Sequence, residues 1–523
     1  RFSCNFPAAI RVSLGKLLMK YAPILFIISS LMASPSRSEV TYHRDIAPII
    51  YGNCTGCHRE GESAPFPLSS FEEVSKKART IRQVVSDRYM PPWHASQQLT
   101  HFSDIRRLDD HEIELINQWV ESGKPEGDIQ DTPDLPTFTQ GWQLGEPDII
   151  LTMAQAYPVA ADGPDVYRNF VLPLNLDEDK WVKAIELRPS ARAVVHHSLY
   201  FLDDSGAARK LEGKDGKPGF RGMKFRRSGS LGGYVPGVSP RLLPGDLAHP
   251  LPKGSDFVLS THFHPSGKPE LEQTKVGIYL ADKPPSRLIQ EIQIPPGFGR
   301  GVGIDIPPGE KNYTITDNFT LPVDAEAVCI TGHAHYLAET MTMTAKYPNG
   351  EQRVLLDIPD WDLDWQDTYY FDEKVILPSG TVLTTVITYD NSEDNYDNPF
   401  SPPRRVKWGL ESTDEMGSIT VLAVPVNATD ITELSRQTKI NQVKILAQLG
   451  REFSNSRLLE GLPMMIRFLD KDSDGTLQSS ELPERLRVAL LPRLDKDGNK
   501  ALDPSELQIL QDWLESLKES RDA

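Results

Sequence analysis

From about residue 147 to residue 425 the chain runs in short apolar or alternating stretches set off by proline and glycine. Val194–Leu202, Phe257–His264, Lys275–Leu280, Ala327–His333, Met341–Tyr347 and Ile419–Val424 are of this kind. Alternation with period two puts one row of side chains on each face of a strand. Strands of this length between turn signals predict β-sandwiches, and the stretch is long enough for two, over residues 147–285 and 286–425. Ahead of it the period changes. Ser70–Ser86 and Leu108–Ser122, the latter with Ile113, Ile116 and Val120 on one side, predict the helices of a small all-α unit over residues 40–126. The Pro-, Asp-, Gly- and Thr-rich stretch 127–146 reads as a linker. Residues 426–465 are expected to be a helical connector and 466–523 a helical tail. Residues 1–38 combine Lys16 and Lys20 with the apolar run Tyr21–Ala33 and then small polar residues. That apolar core is too short for a bilayer and has the pattern of a cleaved export signal. The expectation is a multidomain, periplasmic or secreted protein with no membrane span after cleavage.

Composition sharpens this in two places. The 42 prolines and 36 glycines favour loop-rich β structure. A net charge of −17 argues against nucleic acid and anionic membrane surfaces as partners.

Chemistry enters at Cys54-Thr55-Gly56-Cys57-His58. Two cysteines three apart, followed at once by histidine, form the pattern for covalent attachment of a c-type haem, with the imidazole placed under the ring as proximal ligand. A zinc site would need a second ligand pair, and no other cysteine lies in the next hundred residues. Met90, in Met90-Pro91-Pro92-Trp93-His94, is the expected distal thioether, with His94 a competing ligand. Residues 40–126 thus resemble a cytochrome c domain, with haem c as cofactor.

Six of the twelve histidines fall in three groups on predicted strands: His196-His197, His262-Phe263-His264 and His333-Ala334-His335. Residues i and i+2 of a strand leave the same face, so His333 and His335 can share a metal. His196 and His197 can share one only if their strand bulges or ends there. Imidazole-rich sites suit copper, zinc, iron or nickel. A nearby thioether favours cuprous copper, and Met416 is the candidate.

His-His, a lone strand His, His-x-His and a late Met, in that order over residues 140–425, resemble the copper type II, ascorbate-dependent monooxygenases, the group of dopamine β-monooxygenase and peptidylglycine α-hydroxylating monooxygenase. The resemblance implies two jelly-roll-like sandwiches and two copper ions. An electron-relay copper would be held by His196, His197 and His262, and an oxygen-binding, catalytic copper by His333, His335 and Met416. His264 is left over, either a substitute ligand or a bystander. It also implies an oxidoreductase that hydroxylates a C–H bond of a small substrate with dioxygen. Electrons would come from an external donor, a redox protein or an ascorbate-like reductant, through the haem. The amidating branch carries Arg and Tyr where this chain has Thr331 and Thr420, so a peptide carboxylate is a poor fit. The alternative is a non-catalytic periplasmic electron-transfer or copper-binding protein.

The tail adds calcium. Asp470, Asp472, Asp474, Thr476, Gln478 and Glu481, with Gly475 at the sixth place, match an EF-hand loop. A second loop runs Asp495, Asp497, Asn499, Ala501, Asp503, Glu506, with Lys500 in place of the glycine and a costlier turn expected there.

Overall fold

The computed structural model describes residues 39–509 apart from 63, 97–99, 140, 223–224, 226, 443, 445–468, 471–474 and 483. The expected export signal, most of the expected connector, and Asp472 and Asp474 lie outside the described residues.

The first part is helical. After a π turn at Tyr42–Ile46 come α1 (Ala47–Asn53), α2 (Phe71–Ser86) and α3 (Asp110–Glu121). Ser70 caps α2, its hydroxyl accepting from the Glu73 amide at 3.3 Å. A reciprocal Asp109/Glu112 pair caps α3. Each satisfies backbone donors that the first helical turn leaves open. The helices close on Tyr42, Ile46, Ile50, Val74, Ile116 and Trp119.

Sheets dominate the rest. The strands β1 (Ile149–Thr152), β2 (Tyr157–Val159), β3 (Val166–Pro173), β4 (Lys180–Arg188), β5 (Val195–Asp203), β6 (Gly229–Tyr234), β7 (His249–Leu251), β8 (Asp256–Phe263), β9 (Glu270–Glu272) and β10 (Lys275–Leu280) form the first sandwich. Its sheets run β1-β10-β4-β7 and β3-β8-β5-β6, with β2-β9 as a side ribbon. One core, including Leu151, Val182 and Ile278 from the first sheet and Phe170, Leu259 and Phe263 from the second, joins them.

The second sandwich uses β11 (Gln290–Ile294), β12 (Asp305–Ile306), β13 (Tyr313–Thr320), β14 (Ala325–Ala334), β15 (Ala338–Lys346), β16 (Gln352–Ile358), β17 (Thr368–Leu377), β18 (Val382–Tyr389), β19 (Val406–Lys407) and β20 (Gly417–Pro425). Its sheets are β11-β20-β14-β17 and β13-β18-β15-β16. In β18 the alternation is complete: Leu383, Thr385, Ile387 and Tyr389 are buried and their neighbours are not. Burying each such aliphatic chain is worth about 1.5–3 kcal/mol, and that fixes which face turns inward. Helix α4 (Ile431–Gln442) follows. In the tail, β21 (Leu477–Gln478) pairs antiparallel with β22 (Ala501–Leu502), and α5 (Glu484–Leu494) lies between them. No helix among the described residues is long and apolar enough to cross a membrane.

The helical part is built into both sandwiches. Beyond Met90 the chain lays a strap along the second sandwich. Trp93, Ala95 and Phe102 enter that sandwich's core, Trp93 edge-on to Tyr369 with ring centres 5.1 Å apart. Ser96 donates to Asp357 O at 2.7 Å and Ser103 to Tyr370 O at 2.9 Å. Towards the first sandwich, Glu62 pairs with Arg192, and Arg106 donates to Gly237 O at 3.3 Å.

Candidate metal centres

The first centre depends on a fault in a ladder. β5 pairs with β8 as Val195↔Phe263 and then His197↔His262, so His196 is the extra residue of a bulge. The bulge frees His196 from strict alternation, and both histidines turn to one place. A donor atom from each of His196, His197 and His262 lies within 4.8 Å of the others. The hydrogen bonds tell which ring faces converge. His196 Nε2 is held by Asp364 at 2.8 Å and His262 Nε2 by Asp165 at 2.7 Å. The Nδ1 atoms of His196 and His197 are 3.1 Å apart, and His262 Nδ1 is buried with no partner. A buried nitrogen without a partner is costly in an apo chain and fits a metal ligand. Carboxylates on the outer nitrogens fix the tautomer that leaves the inner lone pairs free. Burial, and then the charges of the neighbouring histidines, hold His197 well below its ordinary pKa, so it presents a neutral imidazole. His264 is outside the trio. It is bonded at 2.9 Å to the other oxygen of Asp165, with its side chain 65% exposed.

The second centre lies on β14 and β20. Their register, His333↔Ser418 and Ala334↔Gly417, ends one residue short of His335 on one strand and of Met416 on the other. Both histidines are anchored by Nδ1, His333 on Gln366 Oε1 at 2.5 Å and His335 on Asp414 O at 3.2 Å. Their Nε2 atoms are thus the ones left for a ligand role. Burial pushes His333 down to about 4 and His335 to about 3. Met416 is buried. Next to it, Glu415 is fully buried and accepts from the amides of His335 at 2.7 Å, Met416 at 2.8 Å and Leu337 at 2.9 Å. It clamps the end of the His-x-His strand to the methionine. The two centres are joined through the segment between β16 and β17, where Asp364 is bonded to His196 and Gln366 to His333.

In the helical part, Cys57 and His58 follow α1 in a turn closed on the Cys54 carbonyl. His58 Nδ1 is bonded to Phe66 O at 3.0 Å, which leaves Nε2 for a ligand role. Burial pushes the Cys54 thiol up to about 12. Met90 lies past the end of α2, its amide on Val84 O at 3.1 Å. His94, the competing ligand, has its Nδ1 on Asp360 O of the second sandwich at 3.1 Å. Gly237, with φ of +82°, leaves room for the Cys57 sulfur: a Cβ there would sit 2.5 Å from it. Gly237 is three residues past Tyr234, and Tyr234 pairs with Ser198, next to His197. The CxxCH sulfur therefore packs on the loop that follows β6, the neighbour of β5 in its sheet.

In the tail, Asp470 Oδ2 accepts from Gly475 at 3.0 Å and Glu481 Oε2 from Gln478 at 3.0 Å. Asp495, Asp497 and Glu506 offer oxygens within 4.8 Å of one another. Lys500 takes the left-handed turn, φ +65°, where the first loop has Gly475 at +82°. Residues 477 and 502, eighth in their loops, are directly paired.

Asp165, Asp364, Gln366 and Glu415 are the functional side chains that sequence reasoning missed. Asp364 and Gln366 belong to an acidic, aromatic run, Asp360-Trp-Asp-Leu-Asp-Trp-Gln-Asp367, whose composition was the one available signal.

No family model matches the chain, and no curated protein does. Among solved structures, the major capsid protein P2 of bacteriophage PM2 is 10% identical, covers 53% of this chain and 96% of its own, and has a TM-score of 0.22. A peptide-N(4)-(N-acetyl-β-D-glucosaminyl) asparagine amidase is 10% identical with coverages of 53% and 96% and a TM-score of 0.25. The VP2 protein of infectious bursal disease virus is 10% identical with coverages of 54% and 71% and a TM-score of 0.17. Likeness at this level carries no argument.

Proposed function

We propose that the chain is an exported copper type II monooxygenase that hydroxylates a C–H bond of a small substrate with dioxygen, its electrons arriving through a covalently bound haem c. The observation that carries the reading is the meeting of His196, His197 and His262 within 4.8 Å, with His262 Nδ1 left bare, beside a buried His333/His335 pair. Copper bound at the two centres would supply electron storage at the first and dioxygen activation at the second. Three imidazoles turned in by Nδ1 would suit an ion that changes oxidation state. Two imidazoles and the Met416 thioether would favour the cuprous state. Glu415 holds strand and methionine together. Phe298 lies edge-on to His333 with ring centres 4.9 Å apart, and the buried Trp361 donates to His335 O. Cys54 and Cys57 would carry the haem, with His58 and Met90 as axial ligands. The tail loops would hold calcium in a structural role.

The test is metal analysis and oxygen uptake on the haem-loaded chain. Two coppers per chain are expected, falling to one in His196→Ala or His262→Ala. Oxygen uptake should appear with a member of a library of small benzylic and aliphatic compounds, and vanish in His333→Ala. Zinc, a single metal, or two coppers with no substrate-dependent uptake would overturn the enzyme reading.

A further inference from the structure

The segment 359–367, between β16 and β17, touches both histidine centres and the helical part. Trp361 Nε1 donates to His335 O at 3.2 Å and Gln366 is on His333. Asp367 pairs with Arg106 of the helical part, and Asp360 O is bonded to His94 of the strap. Asp364 crosses to the other sandwich and is bonded to His196. An Asx turn holds it there, its own amide on Asp362 Oδ1 at 2.8 Å.

The two outer anchors of the first centre are therefore unlike. The anchor of His262, Asp165, immediately precedes β3, inside the same sandwich, and is mostly buried. The anchor of His196 belongs to the second sandwich and is 54% exposed. His196 is also the bulge residue, whose direction the ladder does not impose. We propose that Asp364 is a positioning residue for the first centre, lent by the second sandwich: it turns His196 Nδ1 inward, so the three-histidine set is complete only while the segment 359–367 is seated between the sandwiches. Arg106, through Asp367, ties that seating to the docking of the helical part. This inference rests on the copper reading for its ligand, but not for its geometry.

Two measurements separate the two. In the metal-free, haem-loaded chain, ¹⁵N-histidine NMR should find His196 as the Nε2–H tautomer. Asp364→Ala should give a tautomer mixture at His196 and leave His262 unchanged, and Asp364→Asn, which keeps an acceptor oxygen, should stay close to the parent. In copper titrations, Asp364→Ala should weaken the first centre about 10–100-fold, the usual effect of losing a ligand's outer partner. Its cupric EPR signal should change while the His333/His335 centre keeps its own. Arg106→Ala should shift the same signal in the same direction by less. An unchanged His196 tautomer in Asp364→Ala overturns the positioning role, whether or not copper binds. A changed tautomer with no copper bound by the parent leaves the geometry standing and overturns the copper reading. Equal loss at both centres, or a drop in urea midpoint that Asp364→Asn shares, would mark Asp364 as merely structural and overturn the proposal.

Discussion

Replacing Glu415 with alanine should cost the metal-free protein about 3–5 kcal/mol at pH 5. The carboxyl is wholly buried and takes three backbone amides, of His335, Met416 and Leu337, at 2.7 to 2.9 Å. A buried donor left without a partner costs about 1–3 kcal/mol. The three share one small cavity, so their losses are not independent and an entering water recovers part of the sum. Glu415→Gln keeps the shape and one acceptor oxygen, but turns an NH₂ toward an amide donor, and should cost about 1–3 kcal/mol. Burial also pushes Glu415 up to about 8. A carboxyl raised on folding contributes stability that is fully present below its unfolded pKa and is lost as pH rises through the folded one. The gap between wild type and Glu415→Gln should therefore narrow from pH 5 to pH 8 and be flat above. Urea denaturation at the two pH values, with far-UV circular dichroism as readout, measures both. A cost under about 1 kcal/mol for Glu415→Ala at pH 5 refutes the clamp, and a gap that widens with pH refutes the raised pKa.

Three further outcomes are expected. Gly237→Ala puts a methyl 2.5 Å from the Cys57 sulfur in a left-handed backbone; it should lose about 1–2 kcal/mol from the backbone alone and raise hydrogen exchange where the helical part meets the first sandwich. Met90→Ala in the haem-loaded chain should lower the haem reduction potential, because a thioether ligand raises it; redox titration followed at the haem bands reads this, and an unchanged potential removes Met90 from the iron. Lys500→Gly relieves the +65° turn for a net gain of about 0.5–1 kcal/mol, which calorimetric unfolding of the metal-free chain should report as a more stable tail.

Much of the β framework was legible because period-two alternation is local: the runs around residues 195, 258, 341 and 420 lie within a few residues of the observed strands. The helix starts were legible for the same reason, since Ser70 and Asp109 act on the next turn of chain. The condition placed on His196 and His197, that their strand must bulge, is met at that residue. The anchors were not legible. Asp165, Asp364 and Gln366 are ordinary polar residues in loops, and they acquire meaning from histidines 33 to 168 positions away. Glu415 reads in sequence as one more solvated acid, yet it is fully buried. The strap was hidden because apolar residues carry no address: Trp93 and Phe102 look like core residues of the helical part that flanks them, and they serve another core.

The strap also sets an order of assembly. Its hydrogen bonds to Val354 and Tyr370 span 254 and 267 positions. Trp93 and Phe102 have nowhere to go until β16 and β17 have been made, long after the helices on either side of them can close. A chain that emerges from its N-terminus must carry two large apolar side chains uncovered while both sandwiches are synthesised and folded. Contacts of this sequence separation slow folding and lengthen exposure to aggregation. The strap that follows Met90 is thus among the last parts of the molecule to be secured, and a fragment that stops before β17 would leave it loose.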